Sequence, residues 1–346
     1  MTIIYFILVL GITVFIHELG HFIFAKKSGI YIYEFSIGMG PRLFKFERPN
    51  DETVYSIRLF PIGGYVSMSG EEVEVDENVP VEQRFQSKTW IQRFLTIIAG
   101  VTFNFLLAIV LLFIVGLAAG VPNNEPIIKS LDSEYPAYNT ELQPGDKIIK
   151  VNNDKIRSVD RLLLELQLNS GKNITLEVID KNDNKKTVEL SPKKVTEGEQ
   201  EVYRYGFSLN NEVTEGLIPS IKYSFVKTGN LLEQMMVIIK SLVTGELKLD
   251  ALAGPIGIYN IVGETARAGL INLIYLIAFL SINVGFINIL PFPAFDGGRL
   301  LFLVIEKIKG RPINAKVENI IHNIGFALLL ILMLIITYND IIRIFK

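Results

Sequence analysis

The stretch ITVFIHELGHFIFAKK, Ile12–Lys27, places two imidazoles and a carboxylate inside an otherwise apolar run. From Met1 to Ala25 its only formally charged side chain is Glu18. At 1.5 Å per residue such a run crosses a hydrocarbon core of ~30 Å. A cleaved signal peptide fits poorly, because Lys26 and Lys27 follow the apolar part instead of preceding it and no small-residue cleavage site is present. The run therefore reads as a membrane helix. Ionisable side chains inside it are costly and need a purpose.

His17 and His21 stand four residues apart, which puts both rings on one face of a helix with Glu18 between them. This HExxH spacing lets two imidazoles reach one zinc ion and leaves the acid to polarise its water. The cluster lies ~8–14 Å from the Lys26 end at helical rise. A third ligand is required, and two candidates exist. His322 is the one other histidine. Asp296 is the alternative, in SINVGFINILPFPAFDGGRLLF, where Pro291 and Pro293 interrupt the helix and Gly297 and Gly298 permit close backbone approach. Asp296 could also be a simple N-cap for the segment after it. With two imidazoles already placed, a carboxylate completing a His–His–Asp set is the preferred reading.

The rest of the 346 residues, 49% of them hydrophobic, gathers its apolar residues into three further runs. These are Phe94–Ala119, Gly269–Leu290 and Ile320–Tyr338, and none contains Asp, Glu, Lys or Arg. A net charge of −2 and the lack of a basic stripe speak against nucleic acid as a partner. With no cysteine, disulfides, thiol catalysis and cysteine metal sites are excluded. Lys26, Lys27, Arg84, Lys88, Arg93, Arg299, Lys307, Lys309, Arg311 and Lys316 fall on one side if the N-terminus is outside. Both termini and residues 120–268 are then extracytoplasmic. The first loop also carries Glu71, Glu72, Glu74, Asp76, Glu77 and Glu82.

Between the first two spans, IYIYEFSIGMGPRLFKFE and TVYSIRLFPIGGYVSM alternate and turn at paired glycines, the pattern of short strands or hairpins. Such backbone tolerates membrane depth where it lines a cavity. In the outer segment, LQPGDKIIKVN precedes a helical stretch, Ser158–Leu168, and two strands, NITLEVID and KKTVELSP. The order resembles a bacterial PDZ domain, which implies capture of an extended peptide at a sheet edge. Ile221, Phe225, Leu232, Met235, Ile239 and Leu242 then recur at helical steps, an amphipathic helix that packs on the module or lies along the membrane.

HELGH, the PDZ-like insert and NILPFPAFDGG together resemble the site-2 protease family of intramembrane zinc metalloproteases, in its single-PDZ bacterial branch. FSIGMGPRLF, PIGGYVSMSGE and AGPIGI are similar to segments of that family as well. The resemblance implies zinc held by His17, His21 and Asp296, and Glu18 as catalytic acid/base. It implies substrate contacts at Asn288 and Pro291 and a membrane-reentrant β-loop at Gly38 and Gly40 that offers an edge strand. Implied substrates are anti-sigma factors or remnant signal peptides, trimmed first by a site-1-type protease, in the bacterial cytoplasmic membrane. One departure is Val101, where the family pattern has proline.

The expected fold is a polytopic α-helical membrane protein of about four spans, with membrane-associated β-hairpin loops and an inserted extracytoplasmic PDZ-like α+β domain. Its parts are a first span at 1–25, a β-loop region at 26–93 and a second span at 94–119. The PDZ-like domain follows at 120–210 and the amphipathic segment at 216–268. A third span with its loop at 269–298 and a final helical region at 299–346 complete it. Two rivals are a PDZ scaffold without proteolysis and a metal transporter. Transport predicts inverted internal repeats, and the four unequal spans show none.

Overall fold

The computed structural model describes residues 1–49, 51–70, 76–197 and 200–344. Glu71, Glu72 and Glu74 lie outside the described residues. The chain divides into two units, Met1–Val115 with Leu249–Lys346, and Gly116–Lys248. Among the described residues four helices are long and apolar enough to cross a membrane.

The first unit opens with α1, Thr2–Lys27. Strands β1, Ile32–Glu47, and β2, Val54–Met68, follow, and then α2, Trp90–Ala119. Two separate hairpins do not form. Each long strand bends, and residues 34–37 pair with both 64–67 and 54–57, while 44–47 pair with 54–57. The result is one four-stranded sheet with 64–68 at one edge and 44–47 at the other. Gly38 and Gly40 make the bend in β1 with φ of 88° and 84°, a region that side chains rarely occupy. Phe35, Val66 and Met68 pack the sheet onto Ala25 of α1. Met39, Leu43, Phe44, Phe46 and Phe60 are exposed on it.

Within the sheet, buried Glu34 accepts hydrogen bonds from Arg42 (2.7 Å), Arg58 (2.9 Å) and Tyr65 (2.8 Å), and from Ser56. Burial pushes this carboxyl up, but Ser56, Arg42, Tyr65 and Arg58 together outweigh it and hold it down at about 2. Its contribution to stability is therefore present above its ordinary value of 4.5 and is lost only as pH falls toward 2.

The second unit begins in the last turn of α2. It contains β3 (Val121–Pro122), β4 (Ile128–Leu131), β5 (Lys147–Val151), β6 (Asp154–Lys155) and α3 (Val159–Leu168). Next come β7 (Ile174–Ile179), β8 (Lys185–Leu190), β9 (Lys193–Glu197), β10 (Gln200–Arg204), β11 (Phe207–Leu209) and β12 (Val213–Thr214). A four-stranded sheet runs β6-β5-β7-β8, and β11 returns to pair with β4. The core is formed by Ile128, Ile148, Leu162, Leu176, Val178 and Leu190, the inward side of each alternating strand and of α3. Ser158 caps α3 by accepting from the Arg161 N–H at 3.1 Å.

The unit ends with α4, Leu217–Thr244. Asp160 of α3 holds it through Lys227 (2.6 Å) and Asn230 (3.1 Å), and its carbonyl accepts from Gln234 (3.1 Å). The amphipathic segment does pack on the module.

Back in the first unit, α5 (Pro255–Arg267) crosses the start of α1, where Phe6 meets Tyr259 edge-on at 5.6 Å. Two more spans, α6 (Leu270–Ile289) and α8 (Ala315–Ile344), flank the shorter α7 (Asp296–Lys309). Buried Asp340 of α8 accepts from the backbone N–H groups of Gly254 (3.2 Å) and Gly257 (2.9 Å), clamping the positive end of α5. Asp340→Ala leaves those donors unpaired. It is expected to cost about 1–2 kcal/mol, read as a lower unfolding temperature in detergent, with partial recovery in Asp340→Asn.

Candidate metal centre

Three helices build this site. α1 presents His17 and His21 on its buried face, as the i, i+4 spacing requires. α7 starts at Asp296 itself, and the side chain makes no capping hydrogen bond, so the N-cap alternative does not hold. Gly297 makes the approach possible, because a Cβ there would overlap the Ile289 and Leu290 carbonyl oxygens at the end of α6. On the far side, Trp90 Nε1 donates to the Leu303 carbonyl at 2.9 Å, and Arg93 pairs with Glu306 at 2.5 and 2.9 Å. These contacts fix α7 against α2.

Asp296 Oδ2 lies 3.1 Å from His17 Nε2 and 3.3 Å from His21 Nε2, and the two imidazole nitrogens are 3.2 Å apart. For metal–ligand bonds of ~2.0–2.1 Å the edge of a tetrahedron is ~3.3 Å, so this triangle has the size of three zinc ligands. The chemistry of the donors agrees. Asp296 Oδ2 is buried and has no hydrogen-bond partner. His21 Nδ1–H donates to the Thr96 carbonyl at 2.9 Å, which leaves Nε2 with its lone pair facing the carboxylate. The residues fit a zinc ion.

His322 stands apart from the cluster. It is on α8 against the Phe302 ring, at 5.8 Å between centroids. Among the described residues, His17, His21 and Asp296 form the one group that could hold a metal. Gly38 and Gly40 are at the bend of the sheet, and it is Gly64 that adjoins Glu18. A Cβ on Gly64 would sit 3.4 Å from Glu18 Cγ, and the Val66 backbone hydrogen-bonds the Glu18 carboxylate. Asn288 is in the last turn of α6, and Pro291 is exposed just beyond it.

Two site residues on α2 escape a reading by composition. Gly100 gives the histidines room: a Cβ would overlap His21 Nε2 and lie 2.8 Å from His17 Cε1. Asn104, fully buried, has its side-chain amide 3.3 Å from His17 Nδ1, and its Oδ1 has no partner. With the amide turned so that Oδ1 accepts from Nδ1–H, both groups are satisfied and His17 Nε2 is free to ligate. The lone amide in a span without charges was the available signal. Ser281 of α6 fixes this turn of α2 by donating to the Asn104 carbonyl at 2.9 Å. Asn104→Leu is expected to weaken zinc binding ~10–100-fold, measured by competition with a fluorescent chelator.

The chain matches peptidase family M50 across residues 5–332. It is 37% identical to the zinc metalloprotease RasP of Bacillus licheniformis and 34% identical to the regulator of sigma-W protease RasP of Bacillus subtilis. It is 33% identical to the zinc metalloprotease RasP of Geobacillus kaustophilus. Each alignment covers 99% of this chain, and 99%, 99% and 98% of the respective relatives. Similarity that runs from end to end, and not through one motif, means that the chain belongs to peptidase family M50, the site-2 proteases, and is a zinc metalloprotease of the membrane.

Proposed function

We propose that the chain hydrolyses peptide bonds within or beside the membrane helices of single-span substrates, with His17, His21 and Asp296 holding zinc and Glu18 as acid/base. The observation that carries this reading is the buried triangle of donor atoms, 3.1–3.3 Å on a side, with Glu18 beside it on α1. A zinc ion held by these three residues would supply Lewis-acid activation of the scissile carbonyl and of water. Glu18 takes the proton of the attacking water and passes it to the leaving amine. The Val66 backbone holds the carboxylate for that transfer.

A helical substrate hides its amides and must unwind to be cut. Pairing with an edge strand offsets that cost. The β-loop of Gly38 and Gly40 offers that edge through residues 64–68, which end the sheet beside Glu18. Asn288 and Pro291, where α6 ends, are the second substrate contact.

The second unit acts as a PDZ-like gate outside the membrane, before chemistry. Supporting this are the return of β11 to β4 and a groove of about 630 Å³ beside α3, lined by Leu163, Leu166, Tyr203, Gly206, Phe207 and Leu209. The gate excludes bulky outer domains or reads the new C-terminus of a substrate already trimmed by a site-1-type protease. The B. subtilis relative, by name a regulator of sigma-W protease, supports anti-sigma factors as the substrate class, with remnant signal peptides beside them. The membrane is the bacterial cytoplasmic one, with both termini and the gate outside and the metal toward the inner face.

The test uses the purified chain in bilayers with a single-span substrate, with and without a folded outer domain. The trimmed form is expected to be cut in the membrane, the untrimmed form spared, and a chelator to stop cleavage until zinc returns. Cleavage that survives chelation and metal depletion would sink the mechanism, and equal cutting of both substrates would sink the gate.

A further inference from the structure

Between α7, the first turns of α8 and the start of α2 lies a cavity of about 990 Å³, at the large end of the ~300–1,000 Å³ range of ligand pockets. None of its wall residues belongs to the donor triangle. Arg93, Arg299, Glu306, Glu318 and His322 line it, together with Gly70. Glu306 engages Arg93 through both carboxylate oxygens, which leaves Arg299 as the second cation on the wall. Among the described residues, Arg93 Nε and His322 Nε2 are buried without a hydrogen-bond partner. Unpaired polar atoms on a wall favour an occupant that is itself polar. An extended peptide is such an occupant, since its N–H and C=O groups are not paired internally.

Two connections tie this cavity to the metal centre. Arg299 follows the donor Asp296 by three residues on α7, ~4.5 Å along the axis and on nearly the same face. The carboxylates whose charge acts on it are Glu318, on the cavity wall, and Glu18, beside the donors. Gly70 lies two residues past the end of β2, whose residues 64–68 form the sheet edge at Glu18. A peptide paired along that edge therefore has one end directed at the cavity. Lys307 and Lys309 close α7, and with Lys316 they put the cavity on the inner side of the donors. Hydrolysis leaves a carboxylate on one product and an amine on the other. In a substrate whose C-terminus is outside, the inner product carries the carboxylate. We propose that the cavity receives the last residues of this inner product and that Arg299 binds its new carboxylate. The five N–H donors of a guanidinium form a planar fork that can serve a resident carboxylate and an incoming one. The inference rests on the proteolytic reading and on a substrate inserted with its N-terminus inside.

The test starts from a single-span substrate cut by the zinc-loaded full chain, with the inner product identified by mass spectrometry. A fluorescent peptide of its final residues is made in two forms, one ending in a free carboxylate and one in an amide. Fluorescence anisotropy reads the binding of each to the zinc-loaded chain. The acid is expected to bind more tightly than the amide, and Arg299→Gln to shrink that preference ~10-fold. Glu318→Gln is expected to keep it. Equal binding of the two peptides by the parent, or an undiminished preference in Arg299→Gln, would overturn the proposal. So would a preference lost as fully in Glu318→Gln, because Arg299 would then act only through its neighbour on α8. A second measurement needs no variant. A benzophenone near the carboxyl end of the acid peptide is expected to crosslink the parent chain within residues 299–326, and crosslinks confined elsewhere would overturn the cavity. A chain that makes no product fails differently: the proteolytic reading falls first, and this inference with it.

Discussion

Glu18→Gln is expected to cleave a single-span substrate about 10²–10⁴-fold more slowly than the parent chain, while binding zinc with the same stoichiometry. Glutamine keeps the length of the side chain and an oxygen that accepts from the Val66 backbone, so the contact with the sheet survives. What it loses is the ability to take a proton from water and release it to the amine. Glu18 is not one of the clustered donor atoms, which is why metal content and rate should separate. Turnover in vesicles and metal analysis of the same sample read both quantities. An unchanged rate would remove Glu18 from the chemistry, and lost zinc would make it a ligand instead.

Gly100→Ala is expected to lower zinc affinity at least ~10-fold, with cleavage falling in step, although one methyl group is added and no donor is removed. That methyl would overlap His21 Nε2 and crowd His17 Cε1, and neither ring can yield easily. His21 is held by the Thr96 carbonyl and His17 by Asn104. In an ordinary helix the same change is favourable by about 0.5–1 kcal/mol, so a stable but metal-poor protein is the distinctive outcome. Gly229→Ala, with open space around its Cβ, is the matched control and should keep full metal and activity. Full zinc occupancy in Gly100→Ala would mean that the rings do not pack on α2 as described.

The spans and the HExxH pair were legible because hydrocarbon demands long apolar runs and because helix geometry alone aligns residues four apart. Asp296 was legible as the preferred third donor through its prolines and glycines, and the start of α7 sets its carboxylate beside both histidines with no capping hydrogen bond. Residues 32–68 read as short strands, yet their register could not be read. It depends on residues 34–37 accepting two partner segments at once, a long-range choice that alternation does not encode. For that reason Gly64, the glycine at Glu18, read from the sequence as a turn residue only. Gly100 and Asn104 were hidden by the span that contains them. An apolar run announces a helix but says nothing of which side faces a metal.

The three clustered donors come from segments far apart in the sequence, and this orders events during synthesis. His17 and His21 are made before Asp296, which follows His21 by 275 positions. At ~5–20 residues per second the third donor is roughly 14–55 s behind. Through that interval the nascent chain carries an acid and two imidazoles but no complete pocket for an ion. If these three residues hold the zinc, as proposed, the peptidase stays off until the segment carrying Asp296 has been made and has packed against α1.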